Sequence, residues 1–176
     1  MKSLVVYSSR TGNTRMIAEA IHSIMPPGAE LVPVEKAPEP VGYDLLALGF
    51  WVDKGEPDAA MSAYMGRVKG LNVGLFGTLG AWPYSKHASE SVQKAVNCLG
   101  GSNVLGTYIC QGKVDPKIID AMAKMPNNPH PMTEERRARL DEAAKHPNEA
   151  DCEAARKVFA GIVQQLAVSS GHWQHG

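Results

Sequence analysis

Five short apolar runs alternate with segments of helical spacing through about residue 110. Runs that are apolar on both faces, with helices between them, are typical of a parallel sheet covered on both sides. The pattern therefore predicts a doubly wound α/β domain. The five runs are Leu4–Tyr7, Leu31–Val34, Tyr43–Trp51, Asn72–Gly77 and Val104–Cys110.

Three segments between these runs repeat apolar residues every three or four positions, which predicts amphipathic helices. We expect Ser85 to cap the third helix and Gly100-Gly101 to end it. The repeats are Ile17, Ile21 and Ile24 in the first, Met61, Met65 and Val68 in the second, and Ala88, Val92, Ala95, Val96 and Leu99 in the third.

The pattern changes after Cys110 and predicts an extra C-terminal helical segment. Ile118, Ile119 and Met122 indicate one helix, and Pro126–Pro131 interrupts it. We expect two further helices, one capped by Thr133 and a last one capped by Asn148. The chain then reads as one domain over residues 1–168 with a mobile tail over 169–176. The polar stretch from about 126 to 151 is interpreted as cover for a sheet edge, with a docking surface as the alternative.

Charge and hydropathy limit the choice of partners and compartment. The 176 residues include 18 basic and 18 acidic side chains, so the formal net charge is zero. Such a chain lacks the basic excess that favours nucleic acid. The first apolar run is too short for a signal peptide or a membrane helix, so we expect a cytoplasmic protein without membrane insertion.

Cysteine and histidine spacing suggests neither a disulfide framework nor a metal site. Cys98, Cys110 and Cys152 share no motif and are expected to be reduced, mostly buried thiols. The six histidines show no ligand spacing, with a weak site at His172 and His175 as the alternative.

The strongest chemical signal lies between the first strand and the first helix. A helix N-terminus offers unpaired N–H groups and a partial positive charge, and short hydroxyl side chains add donors for a phosphate. The segment lacks the Gly-Lys-Ser/Thr of a Walker loop, and no dinucleotide fingerprint is present. An ordinary helix cap is the alternative interpretation. The six loop residues are Ser9, Arg10, Thr11, Gly12, Asn13 and Thr14.

This loop resembles the flavodoxin phosphate loop, Ser/Thr-x-Thr-Gly-x-Thr, at all of its defining positions: Ser9, Thr11, Gly12 and Thr14. The resemblance implies a flavodoxin-like five-stranded sheet of order 2-1-3-4-5 with helices on both faces. It also implies a bound FMN. The uninterrupted last strand is similar to that of short-chain flavodoxins. The segments Cys110–Lys113 and His146–Asp151 resemble a subgroup of small flavodoxin-like proteins.

The resemblance assigns two further loops to the flavin ring, because ligands of such sheets bind beyond the carboxyl ends of the strands. The loop after the third strand supplies backbone contacts, and Gly55 would permit a peptide flip. Trp51, Trp82 and Tyr84 are alternative stacking rings. The residues of the first loop are Phe50, Trp51, Val52, Asp53, Lys54 and Gly55. Those of the second are Thr78, Leu79, Gly80, Ala81, Trp82 and Tyr84.

Neutral charge departs from the strongly acidic character of most flavodoxins. Arg10 and Lys54 lie in the expected site, and a cation there favours the anionic reduced flavin. We therefore predict a less negative second reduction potential than a typical flavodoxin has.

Three functions are compatible with these features. The first is an FMN-binding electron carrier between unidentified redox partner proteins, with no catalytic residue. The second is an NAD(P)H-dependent, FMN-containing reductase of quinones or similar acceptors, because the same fold hosts such enzymes. The third is a binding module that assists another flavoprotein or a tetrapyrrole enzyme. The sequence does not specify an oligomeric state.

Overall fold

The computed structural model describes residues 1–169 and Gly171. The last helix extends to Ser169, one residue beyond the predicted domain limit. The rest of the predicted tail, with His172 and His175, lies outside the described residues.

Five parallel strands form the sheet, and one short strand extends it. The order along the sheet is β2-β1-β3-β5-β6, and β4 pairs antiparallel with the end of β3. The five-stranded order predicted from the resemblance is therefore confirmed. The strands are β1 (Ser3–Tyr7), β2 (Glu30–Pro33), β3 (Leu45–Asp53), β4 (Glu56–Pro57), β5 (Asn72–Leu79) and β6 (Asn103–Gln111).

Helices cover both faces of the sheet, as expected. On one face α1 and α6 bury an apolar stripe against the strands, and on the other face α2 and α3 do so. The helices are α1 (Asn13–His22), α2 (Ala59–Met65), α3 (Lys86–Asn97), α4 (Pro116–Ala123), α5 (Glu134–Ala143) and α6 (Glu149–Ser169). A 3-10 turn follows β2 at Val34–Lys36.

The three predicted helix caps are present. Ser85 Oγ accepts a hydrogen bond from the Ala88 N–H at 3.2 Å, and Thr133 Oγ1 accepts one from Arg136 at 3.1 Å. Asn148 Oδ1 accepts bonds from the second and third residues of α6. Each side chain satisfies a donor that the first helical turn leaves free.

Two predicted loops begin too early. Phe50–Asp53 belong to β3, because Val52 and Asp53 still pair with β4. Thr78 and Leu79 belong to β5, because β6 pairs with them at Cys110 and Gln111. Pairing with a neighbouring strand extends both elements past the point where the apolar pattern fades.

Close packing on the α1–α6 face depends on a glycine opposite an aromatic ring. The rings of Phe76 and Phe159 meet edge to face with centroids 5.9 Å apart. A Cβ on Gly74 would lie 2.5 Å from the Phe159 ring, so only glycine fits this strand position.

The cysteines agree with the expectation of unpaired thiols. Cys110 and Cys152 are buried, Cys98 is partly buried, and all three are free. Burial raises the pKa of the Cys110 thiol to about 12. Over the described residues, no helix is long and apolar enough to cross a membrane.

Candidate functional site

The side chain of Ser9 shapes the β1–α1 loop through hydrogen bonds to its backbone. Ser9 Oγ accepts hydrogen bonds from the N–H groups of Gly12 at 3.1 Å and Arg15 at 3.2 Å. Gly12 adopts a φ of 97°, which a side chain disfavours. Gly12, the N-cap of α1, has no side chain to accept a bond, and Ser9 occupies the Arg15 N–H, so the N–H groups of Asn13 and Thr14 are the ones left for a phosphate.

A buried pair of hydroxyls joins the first turn of α1, at the end of this loop, to the end of β5. Thr14 Oγ1 lies 2.9 Å from Thr78 Oγ1, and both residues are about 2% exposed or less. One hydroxyl donates to the other, which leaves the second proton available to an oxygen in the cavity. The pair thus fixes the start of α1 to the end of β5.

The loop after β6 is fixed to the phosphate loop by an amide. Asn13 Nδ2 donates a hydrogen bond to the Lys113 carbonyl at 3.0 Å. A Cβ on Gly112 would lie 2.6 Å from that same amide nitrogen, so glycine permits the approach. Asn13 therefore positions a neighbouring loop as well as lining the site.

A two-residue hairpin turn ends β3. Lys54 and Gly55 have φ values of 50° and 80°, as a type I′ turn requires. Glu56 forms an ion pair with Lys94 of α3 at 3.2 Å, and a Cβ on Gly55 would lie 3.3 Å from the His87 ring. The hairpin is thereby held against α3, and Gly55 has the positive φ that we expected it to tolerate.

Asp58 anchors the base of this hairpin to the end of β1. Its N–H donates to the Trp51 carbonyl at 3.0 Å, while its Oδ1 accepts from Ser8 Oγ at 2.7 Å and from the Met61 N–H at 3.1 Å. Burial raises the pKa of Asp58, and these hydrogen bonds oppose the rise. Sequence reasoning missed this residue, whose position before α2 resembles that of an ordinary cap.

Phe50 is placed in the core and not at the site. Its ring is 1% exposed, and a Cβ on Gly77 would lie 2.9 Å from it. Because Phe50 lies within β3, side-chain alternation turns it toward α2 and α3. Phe50 therefore does not line the cavity, and its assignment to the flavin loop stays a prediction.

Two aromatic residues line the site from opposite loops. The Arg10 guanidinium lies 5.8 Å from the ring centroid of Trp51. Trp82 stacks on Tyr84 with centroids 5.8 Å apart and an interplanar angle of 18°. Tyr84 is 81% exposed and lies outside the cavity wall, so Trp82 is the better placed of this pair to contact a ligand.

One cavity of about 860 Å³ joins these loops at the carboxyl ends of β1, β3 and β5. Fifteen of the eighteen predicted residues line it, and Gly12, Phe50 and Tyr84 do not. Those that do are Ser9, Arg10, Thr11, Asn13, Thr14, Trp51, Val52, Asp53, Lys54, Gly55, Thr78, Leu79, Gly80, Ala81 and Trp82.

The opposite wall comes from a region that the sequence did not assign to the site. We call Pro116–Ala143, which contains α4 and α5, the arm. The polar stretch over about 126–151, interpreted from the sequence as cover for a sheet edge or as a docking surface, overlaps the arm, and part of it lines the cavity. The amphipathic spacing of α4 was the available signal. The wall residues from the arm are Ile118, Ile119, Met122, His130, Glu135, Arg136, Arg139 and Leu140.

His146, which follows the arm in the chain, forms hydrogen bonds to α6 and to the loop after β6. His146 Nδ1 lies 2.6 Å from Asp151 Oδ2, and its carbonyl accepts the Lys113 N–H at 2.9 Å. The hydrogen bond to Asp151 raises the pKa of His146. The two C-terminal segments that resemble small flavodoxin-like proteins are therefore in contact.

Among the described residues, no cluster of three or more His, Cys, Asp or Glu side chains is arranged to hold a metal ion. The wall instead combines a phosphate-type loop, small residues and aromatic rings. These features fit a flat molecule that carries a phosphate, because the free N–H groups and hydroxyls face one end and Trp51 and Trp82 lie at the other loops.

Comparison with known proteins agrees with this architecture. The chain is 31% identical over 160 residues to the flavodoxin-like domain-containing protein BilS of Clostridioides difficile, with 86% of this chain and 90% of the relative covered. Oxidised flavodoxin 2 of Bacillus cereus shares the fold at 17% identity and a TM-score of 0.56, covering 94% of this chain and 99% of that one. A flavoprotein of Lactobacillus acidophilus in complex with FMN has 19% identity and a TM-score of 0.50, covering 70% and 99%.

The model of the flavodoxin domain matches residues 4–160. This range includes the phosphate loop, β1 from its second residue, all of β2 to β6, and the arm. The chain therefore belongs to the flavodoxin family.

Proposed function

We propose that this protein binds FMN non-covalently and transfers electrons between redox partner proteins. The observation that carries the proposal is the joining of a phosphate-type loop and two aromatic-bearing loops in one cavity at the switch point of the sheet. When bound, FMN supplies the redox chemistry, and the protein supplies orientation and electrostatics.

The residues have distinct roles in this proposal. The free N–H groups at the start of α1 and the Thr14–Thr78 hydroxyl pair hold the phosphate. Trp51 and Trp82 hold the ring, and the Lys54-Gly55 peptide at the hairpin tip adjoins it. Asp58 and Asn13 fix the three loops relative to one another.

A reductive titration tests the proposal. The purified protein is titrated with FMN, and flavin fluorescence and the visible spectrum are recorded during stepwise reduction. Stoichiometric binding followed by two separated one-electron steps supports the carrier. Absence of FMN binding would overturn the proposal.

The size of the cavity favours a second candidate, an FMN-containing reductase that uses NADH or NADPH. An enzyme needs space over the ring for a second molecule, and the cavity continues from the flavin loops to the arm. Rapid bleaching of the bound flavin by NADH or NADPH alone would favour the reductase, and unchanged absorbance over minutes would favour the carrier.

A further inference from the structure

The arm presents an apolar surface with two arginines to the same cavity that the phosphate loop lines. The surface is formed by half-buried side chains of both arm helices. They are Ile118, Ile119, Met122, Leu140, Arg136 and Arg139. Neither arm helix contributes to the two core clusters, so these apolar side chains are not needed to fill the core.

The Arg139 side chain forms no hydrogen bond or ion pair within the described part of the chain. Its Nε is buried, and within residues 1–169 and Gly171 no hydrogen-bond acceptor meets it. Within the same residues no carboxylate lies within ion-pair distance of its guanidinium. A buried donor of a charged group that lacks an acceptor is costly, and an anionic ligand removes that cost.

Arg136 differs from Arg139 because its guanidinium already has contacts within the arm. Its guanidinium donates to the His130 carbonyl and lies 3.7 Å from Met122 Sδ. These contacts fix the connection between the two arm helices. Arg136 therefore adds positive charge to the surface, while Arg139 keeps a free donor.

The two carboxylates nearest this surface, those of Asp115 and Glu135, lie at helix N-termini. Asp115 also lines the cavity, but its Oδ1 accepts the Lys117 N–H at 2.9 Å as the cap of α4. Glu135 also lines the cavity and lies in the first turn of α5, where its charge interacts favourably with the positive end of the helix dipole. Lys113 lines the cavity beside them.

We propose that the arm is a second binding site, next to the proposed FMN site, for an organic anion with an apolar body. Arg139 binds the anionic group, and the half-buried isoleucines and Met122 contact the apolar part. This inference rests on the proposed function, because it assigns the phosphate loop to FMN and the arm to another molecule. A guanidinium fork fits a carboxylate or a phosphate, so both sources of the anion require testing.

The test is isothermal titration of the FMN-loaded protein with three probes: 2-naphthoate, the neutral 2-naphthalenemethanol and oxidised NADP. We expect at least one of the two anions to bind and the neutral alcohol to bind more weakly than 2-naphthoate. Arg139→Gln should weaken the binding anion about tenfold or more. Ile118→Ala should weaken it about threefold.

The matched control is Arg137→Gln, which removes the same charge from the same helix at an exposed position outside the cavity wall. It should leave the anion affinity unchanged. FMN affinity, measured separately by flavin fluorescence, should be the same in all variants. Binding of 2-naphthoate alone identifies a carboxylate ligand, and binding of NADP alone identifies a phosphate ligand.

Three results would overturn the second site. They are absence of binding by both anions, equal losses in Arg139→Gln and Arg137→Gln, and a parallel loss of FMN affinity in Arg139→Gln. The last result would mean that the arm holds FMN itself. If the anions bind to a protein that never binds FMN, the proposed function fails and the anion site remains.

Discussion

The wall formed by the β1–α1 loop and the strand ends is continuous with the hydrophobic core, whereas the wall formed by the arm is not. Thr14 and Thr78 are almost fully buried beside core strands, and Asp58 is 3% exposed. In the arm, α4 has no buried residue and α5 buries only Ala143. We therefore expect changes in the arm to cost less stability than changes in the strand-end wall.

The sharpest test of this contrast is Phe50→Ala, in the core behind the strand-end wall and not in the wall itself. Removing the ring leaves a cavity over Gly77 and should lower the free energy of unfolding by about 3–5 kcal/mol. Met122→Ala in the arm should cost about 1 kcal/mol or less. Urea denaturation of both variants measures the difference, and equal losses would contradict the contrast between the walls.

Thr14→Val tests whether the buried wall combines stability with cofactor binding. The change keeps the shape but leaves the Thr78 hydroxyl without its partner, which should cost about 1–3 kcal/mol of stability. FMN affinity should fall roughly tenfold, since a donor at the phosphate is lost.

Thr133→Val is the control for Thr14→Val. It removes the cap of α5 and should cost about 1 kcal/mol. Its FMN dissociation constant should match that of the unmodified protein. A loss of FMN affinity in this variant would mean that the arm also holds the cofactor.

Lys54→Gln tests the charge of the hairpin tip. Removing an exposed cation should make the second reduction potential of the bound flavin more negative by on the order of 40 mV, equivalent to about 1 kcal/mol for one electron. Lys36→Gln, in the exposed 3-10 turn, should leave the potential unchanged. Spectroelectrochemical titration gives both values, and an unshifted potential in Lys54→Gln would disprove the effect.

The smallest expected effect is the pH dependence of the junction between the arm and α6. The pKa of His146 is raised by its hydrogen bond to Asp151, so its contribution to stability is complete below the ordinary value of 6.5 and is lost as pH rises through the raised pKa. As the pH rises above 6.5, the free energy of unfolding should therefore fall more in the unmodified protein than in His146→Gln. Parallel pH profiles would exclude this role.

Sequence patterns predicted the alternating strands and helices, the helix caps and the phosphate-type loop. Each of these depends on local features, such as the apolar runs and the hydroxyls before a helix. The strand order and the other two loops of the site followed from the family resemblance. The identity of the side chains that face the cavity was less predictable. The resemblance placed Phe50 in a loop at the flavin, but Phe50 lies within β3 opposite Gly77 of β5, and its ring packs in the core.

The sequence alone thus determined the parallel sheet and the phosphate-type loop, because periodicity and helix-terminal chemistry act between near neighbours in the chain. Only the tertiary structure placed the arm over the site and left Arg139 Nε without an acceptor among the residues it describes. The physical reason is sequence separation: the arm begins about a hundred residues after the phosphate loop, and contacts such as Asn13 to Lys113 form only when the strand ends meet at one edge of the sheet.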